Sequence, residues 1–388
     1  MISFHDRLVP HARDARQSDI RAATRIVESM GGINLAQGTC ALPVAEELVE
    51  AASRAMRAGY NSYTLFDGIP RLKEAVARRY NTYNQISARP ENVLVTSGAT
   101  GAFEVVCKSL ISPGNRVVMF EPIYQYHVRQ ARHAGADVRF VPLAPPEWIF
   151  DPAVLEDALS GGARLLVLSN PHNPSGKVFT RAELETVAEL CIRHDAVAVV
   201  DEVYEYILGP SAEHISLASL PGMFERTLTL SSASKTFFVT GWRVGWLAAP
   251  PEVLGALGRM SDETYVCAPA PFQHAVAEGL GFPETFFERI RTPFHERMRR
   301  LVAALEEIGW EPCAPRGAYY VLARYPPAFA GDDRAAMHAL LDATGVAAVP
   351  GREFFPSRAD SGMLRFCYAV PDETLERACD QMMRLRPS

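Results

Sequence analysis

From residue 93 onward the apolar positions fall into short, nearly continuous runs at 93–96, 116–120, 138–142, 165–169, 196–200, 227–230 and 244–248. Runs of this length, rich in Val and Leu, read as buried strands, and segments such as 181–194 between them carry helical spacing. The alternation predicts an α/β domain with a mostly parallel seven-stranded sheet flanked by helices. Upstream, residues 17–30 predict a short helix ended by Gly31-Gly32, then an extended piece at 33–38 and a helix from Pro43 to Gly59. Gly68-Ile69-Pro70 opens a further helix. After Pro251 the strand pattern fades. A helical stretch from about 271 to 308, a strand at 317–322, a helix at 333–344, the segment 346–350, a strand at 363–368 and a last helix from Asp372 predict an α+β lobe. The expected division is residues 1–45 joining a small domain, 46–285 as the large domain and 286–388 as the rest of the small one.

Sheets of this type take ligands beyond the carboxyl ends of their strands, so the polar residues just after each run matter most. The run at 93–96 leads into Ser97-Gly98-Ala99-Thr100-Gly101 and a helix, a seat for phosphate or simply a helix start. The run at 116–120 leads to Tyr124, a ring for stacking or for the core. The run at 165–169 ends in Asn170-Pro171-His172-Asn173-Pro174, whose Asn-Pro steps force turns. The run at 196–200 ends in Asp201-Glu202-Val203-Tyr204, and an acid after a buried strand needs a cationic partner or strong hydrogen bonds. The run at 227–230 ends in Ser231-Ser232-Ala233-Ser234-Lys235, with Gly241-Trp242-Arg243 following. Only four of the 39 basic residues are lysines (Lys73, Lys108, Lys177 and Lys235), and only Lys235 lies among hydroxyls and small residues. A lysine amine can lose its proton and attack a carbonyl; an arginine keeps its charge.

Composition narrows the classes. The formal net charge of −6 argues against nonspecific nucleic-acid binding. Seven cysteines without a CxxC pair suggest reduced thiols and a cytoplasmic protein, with no zinc site. Charged residues break up the N-terminus, so no leader is expected there, and no apolar run approaches a membrane span.

Phosphate seat, aromatic ring, Asn-Pro loop, strand-end Asp, then Lys and Arg follow one another in an order that resembles the fold type I, class I/II aminotransferases along nearly the whole chain. The stretch from His214-Ile215-Ser216-Leu217-Ala218-Ser219-Leu220-Pro221-Gly222 to Gly245-Trp246 is similar in particular to the kynurenine aminotransferase and glutamine transaminase K group. The resemblance implies pyridoxal 5′-phosphate bound as a Schiff base on Lys235, which would also move the substrate proton. It implies Asp201 on the pyridine nitrogen, Tyr204 and Asn173 on the phenolic oxygen and Tyr124 on the ring. Gly98, Ala99, Thr100, Ser232 and Arg243 would bind phosphate, joined by Tyr63 from the other subunit of a homodimer. Arg365 would grip the substrate α-carboxylate, with the Gly38 backbone close by.

The likeness loosens around the substrate. Gly38-Thr39-Cys40-Ala41-Leu42-Pro43 departs from the family's usual turn, and Arg352-Glu353 puts charges where relatives carry small or hydroxyl residues. Arg352 would either meet an anionic group on the substrate or pair with Glu353. The expected reaction is amino transfer between a 2-oxo acid and an aromatic, sulfur-containing or glutamine-like L-amino acid. Elimination, replacement or cyclisation on the same cofactor, as with S-adenosylmethionine-like substrates, is the alternative the motifs leave open.

Overall fold

The computed structural model describes residues 4–13, 17–329, 331–357 and 360–386. Its strands, in chain order, are β1 (Ile33–Asn34), β2 (Val93–Thr96), β3 (Arg116–Glu121), β4 (Asp137–Pro142), β5 (Ala163–Ser169), β6 (Val197–Asp201), β7 (Thr227–Ser232), β8 (Gly245–Ala248), β9 (Glu311–Cys313), β10 (Tyr320–Arg324), β11 (Val346–Ala347), β12 (Val349–Pro350) and β13 (Met363–Cys367). Seven of them form one sheet in the order β2-β8-β7-β6-β5-β3-β4, in which β8 alone runs against its neighbours. All seven apolar runs are therefore strands of one sheet.

Residues alternate between the two faces of this sheet. Leu165, Val167 and Leu228 pack into one buried cluster with the helix Gly98–Leu110, while Leu166, Leu168 and Val200 pack into a second cluster on the opposite face. Each such side chain contributes roughly 1.5–3 kcal/mol on full burial, so the register is fixed by both faces at once. Helix starts follow local chemistry. Thr180 and Glu183 form a reciprocal capping box before Arg181–Arg193, and the Ser18 hydroxyl caps Asp19–Ser29 by accepting from the Arg21 amide.

A four-stranded antiparallel sheet in the order β12-β13-β10-β9 is built from the C-terminal part of the chain. The N-terminal segment joins this part through β1, which pairs in parallel with β11.

Three expectations need correction. The helix expected from Pro43 begins at Glu46, because Pro43 to Ala45 stay outside it and Glu46 and Glu47 supply the favourable acidic first turn. The helical stretch at 271–308 is two helices, Ala270–Gly279 and Glu284–Glu307. Pro283 disfavours helical geometry at Phe282 and sits extended as the second helix's N-cap. A further helix, Pro251–Tyr265, occupies the region where the strand pattern fades, with its proline in the tolerated first turn.

Candidate active site

The carboxyl ends of β3, β5, β6 and β7 open on the same side of the sheet, with Ser169 of β5 in register with Asp201 of β6. There they border a cavity of about 500 Å³. Of the residues singled out in the sequence, Gly38, Ala99, Thr100, Tyr124, Asn173, Asp201, Tyr204, Ser232, Lys235, Arg243 and Arg365 all line it. Gly98 and Tyr63 do not. Gly98 takes φ +69° and lies so close to Arg243 that a Cβ there would stand 2.2 Å from the guanidinium. Tyr63 is 82% exposed and borders a separate cleft with Tyr60, Leu65 and His274.

At one end of the cavity the helix Gly98–Leu110 presents its first turn, where backbone amides lack helical partners. Arg243 stands beside it, donating to the carbonyls of Thr240 at 2.9 Å and Ser97 at 3.3 Å. These two neutral acceptors hold the guanidinium without cancelling its charge. Charge and free amides together suit a phosphate.

Asp201 is buried at the tip of β6. Its carboxylate accepts from the Val203 amide at 3.2 Å and faces His127 Nε2 at 3.3 Å. His127 was not singled out in the sequence. It lies three residues after Tyr124, so one turn of Gln125–His133 returns it to the site, and the two rings meet edge-on at 5.5 Å.

Lys235 sits in the short helix Ala233–Thr236 that follows β7, capped by the Ser232 hydroxyl. Its Nζ donates to the Gly38 carbonyl at 3.0 Å. Burial pushes the amine down to about 8, although Cys367, Cys40 and Asp201 pull the other way. The same carbonyl accepts from the Tyr319 hydroxyl at 2.9 Å and lies 3.5 Å from that of Tyr320. Tyr320 also meets the Tyr204 hydroxyl at 2.9 Å. Neither Tyr319 nor Tyr320 was singled out in the sequence.

Arg365 lies on β13 and is 1% exposed. It donates to the Ala36 carbonyl at 2.8 Å and to Asn173 Oδ1 at 3.3 Å, and its guanidinium lies between the rings of Tyr320 and Phe354 at 4.2 and 4.5 Å. Arg365 makes no ion pair among the described residues, so a carboxylate entering the cavity would meet an uncancelled charge. Arg352 follows neither path considered for it. It pairs with Asp332 at 2.8 Å and with Asp333, away from the cavity, while Glu353 pairs with Arg129 at 3.3 Å.

Behind Asp201 lies a buried polar network. The Asn84 amide donates to Glu205 at 2.6 Å and Glu202 at 3.2 Å, and His214 Nε2 meets Glu202 at 3.2 Å. Burial alone would push His214 down, but the Glu202 and Glu205 carboxylates together outweigh it and hold the imidazole above its ordinary value. Among the described residues, Glu202, Glu205 and His214 are the group whose ligand atoms lie close enough together for a metal ion. The Asn84 amide already donates to both carboxylates. All seven cysteines are free.

The cavity therefore offers an amine softened by burial, a carboxylate, a phosphate-ready end and a buried arginine. That donor set fits pyridoxal phosphate. Residues 31–382 match the family model for aminotransferase class I and II. The chain is 32% identical to kynurenine–oxoglutarate transaminase 3 of Mus musculus, an alignment covering 92% of this chain and 85% of that protein. It is 34% identical to an aspartate/prephenate aminotransferase of Thermus thermophilus, over 88% of this chain and 87% of that one. The solved N-succinyldiaminopimelate aminotransferase of Mycobacterium tuberculosis superposes with a TM-score of 0.94 at 32% identity, covering 97% of this chain and 100% of that chain. With fold, site chemistry and kinship in agreement, the chain belongs to the class I and II aminotransferases, enzymes of fold type I that work with pyridoxal phosphate.

Proposed function

We propose that this enzyme moves an amino group between an L-amino acid and a 2-oxo acid at the cavity bounded by Lys235 and Arg365. The observation that carries the reading is their meeting in one space, an amine whose proton is loosened by burial and a buried guanidinium with no ion pair among the described residues. When bound, pyridoxal phosphate supplies the aldehyde that condenses with the amino group and the ring that takes up the electron pair freed at Cα. In this reading Arg365 binds the substrate α-carboxylate beside the Gly38 backbone and so fixes which Cα bond faces Lys235. Lys235 would carry the proton between the substrate Cα and C4′ of the cofactor. Asp201, beside His127, would hold a proton on the pyridine nitrogen. Asn173 and Tyr204 would hydrogen-bond the phenolic oxygen, and Tyr124 would offer its ring for stacking. Ala99, Thr100, Ser232 and Arg243 would hold the phosphate, with Gly98 leaving room for Arg243.

The substrate reading has two parts. An aromatic, sulfur-containing or glutamine-like donor is supported by Ile20, Tyr124 and Tyr126 on the cavity wall and by the kynurenine transaminase relatives. A dicarboxylic 2-oxo acid such as 2-oxoglutarate as acceptor is supported by Arg21, which borders the cavity and makes no ion pair among the described residues. Its acidic neighbours are engaged elsewhere, Asp19 with Arg334 at 3.1 Å and Glu353 with Arg129 at 3.3 Å.

The reading includes a cytoplasmic homodimer in which Tyr63 reaches the partner's phosphate site. Support comes from its exposure, alongside Leu65 at 66% and Tyr60 at 50%, a cluster of large side chains suited to burial against a second copy. Among the described residues no helix is long and apolar enough to cross a membrane.

The test is the absorbance of the purified, cofactor-loaded enzyme. A yellow protein that an amino acid bleaches and a 2-oxo acid restores supports transfer and identifies both partners. A protein that keeps its colour while consuming the amino acid would mean elimination or replacement instead.

A further inference from the structure

Tyr320 begins β10, which pairs antiparallel with β13 so that Leu322 faces Arg365 and Tyr320 faces Cys367. Tyr320 is therefore the diagonal neighbour of Arg365 on the same face, within reach of a large ring. Its ring lies 4.2 Å from the Arg365 guanidinium. Its hydroxyl lies 2.9 Å from that of Tyr204, and the two rings meet edge-on at 5.9 Å. The approach to Gly38 is equally close, since a Cβ on that glycine would stand 2.4 Å from the Tyr320 hydroxyl. One side chain thus touches the residue assigned to the substrate carboxylate and the residue assigned to the cofactor's phenolic oxygen.

We infer that Tyr320 is a positioning residue that joins the two halves of the site, its hydroxyl holding Tyr204 as a donor toward the cofactor and its ring holding the Arg365 guanidinium flat. The inference rests on the roles proposed above for Tyr204 and Arg365. Its direction follows from proton bookkeeping. A tyrosine hydroxyl has one proton to give. When Tyr204 gives its proton to the phenolic oxygen, the Tyr204 oxygen becomes an acceptor, and the Tyr320 hydroxyl donates to it at 2.9 Å. Tyr320 then gives up its long 3.5 Å contact with the Gly38 carbonyl, which keeps Tyr319 at 2.9 Å. Chained in this way, each hydrogen bond strengthens the next.

The ring acts separately. Arg365 Nε is buried without a hydrogen-bond partner, so the guanidinium's plane is set by the two carbonyl-type acceptors and by the flanking rings of Tyr320 and Phe354. A flat, pre-set fork is what two-point binding of a carboxylate requires.

Two substitutions separate the hydroxyl from the ring. Tyr320→Phe keeps the ring and removes the chain to Tyr204. The phenolic oxygen then loses part of its donor and holds the proton on the Lys235 linkage more tightly. The pH-dependent colour change of the loaded enzyme should move up by on the order of half a unit to one unit, while KM for the amino acid changes less than about twofold. Tyr320→Leu removes both, so the same colour shift should be joined by a rise in KM of roughly fivefold or more, as expected for a lost cation–π contact. In a Tyr204→Phe background, Tyr320→Phe should add no further colour shift. An unshifted Tyr320→Phe titration overturns the inference, as does an additive shift in the Tyr204→Phe background. Equal KM effects in the two Tyr320 variants would overturn the role given to the ring. A wild-type enzyme that binds the cofactor without colour would instead overturn the proposed function, leaving the two failures distinct.

Discussion

The Asp201 carboxylate and His127 Nε2 face one another at 3.3 Å, the first at the tip of a central strand and the second one helical turn beyond Tyr124. The pair gives a buried acid a polar partner at ion-pair distance, beside the hydrogen bond it accepts from the Val203 amide. Replacing Asp201 with Asn keeps the shape and removes the charge, and kcat should fall by roughly 10²–10³-fold. His127→Leu should fall in the same direction by less, since Asp201 still accepts from the Val203 amide. Single-turnover kinetics with a fixed amino acid measure both, and an active Asp201→Asn enzyme would remove Asp201 from the chemistry.

Lys235 carries a pH signature. Its amine is held down to about 8 by burial, against the ordinary 10.5. The neutral, attacking form therefore appears as pH rises through about 8. The rate at which cofactor-free enzyme turns yellow with added pyridoxal phosphate should climb with pH and level off above that midpoint. Arg365 is one of the charges that lower the amine's value, so Arg365→Gln should move the midpoint upward. A rate still climbing at pH values near the ordinary lysine value would contradict the buried environment.

Arg365→Lys tests the carboxylate grip. A lysine offers a point charge in place of a planar fork and cannot lie between the Tyr320 and Phe354 rings in the same way. Loss of a buried, hydrogen-bonded charge pair costs about 2–5 kcal/mol, which is roughly 30-fold or more in KM. The same substitution should leave the equilibrium binding of pyridoxal phosphate nearly unchanged. Equal loss for both ligands would mean that Arg365 supports the fold instead.

The buried network behind the site predicts stability. His214 and Glu202 are both buried and 3.2 Å apart. His214→Leu leaves Glu202 with only the neutral donors Ser216 at 2.7 Å and Asn84 at 3.2 Å, and the loss of its cationic partner should cost about 3 kcal/mol in chemical denaturation. Because the folded imidazole is raised above its unfolded value, its contribution is complete below the ordinary histidine range and is lost as pH rises through the folded value. His214→Gln should flatten that part of the stability profile. A variant as stable as the wild type at low pH would show that the pair carries no such energy.

The large sheet was legible because most of its strands are buried on both faces, so their runs are short and dominated by apolar residues, as at 93–96, 165–169 and 196–200; only the edge strand β4, with Arg139 in its middle, is largely uncovered. The strands' carboxyl ends are where the cavity opens, which is why Asp201, Lys235 and Asn173 could be picked out. Tyr320 could not, because its position against Arg365 depends on the pairing of β10 with β13, a register no local pattern carries. Arg352 misled for the same reason. Its partners Asp332 and Asp333 lie about one helix away in sequence and only the folded chain brings them to it. His127 had a faint signal in its spacing from Tyr124. Arg21 had none, since an exposed arginine on an amphipathic helix looks the same whether or not a cavity lies beside it.

The Gly38 carbonyl is approached by three donors, the Lys235 amine, the Tyr319 hydroxyl and, at longer range, that of Tyr320. A carbonyl oxygen has two lone pairs, so the contacts are redundant. On the proposed reading Lys235 would leave this oxygen to react while Tyr319 keeps the Gly38 segment moored. The attacking amine would then have a berth that does not collapse when it departs.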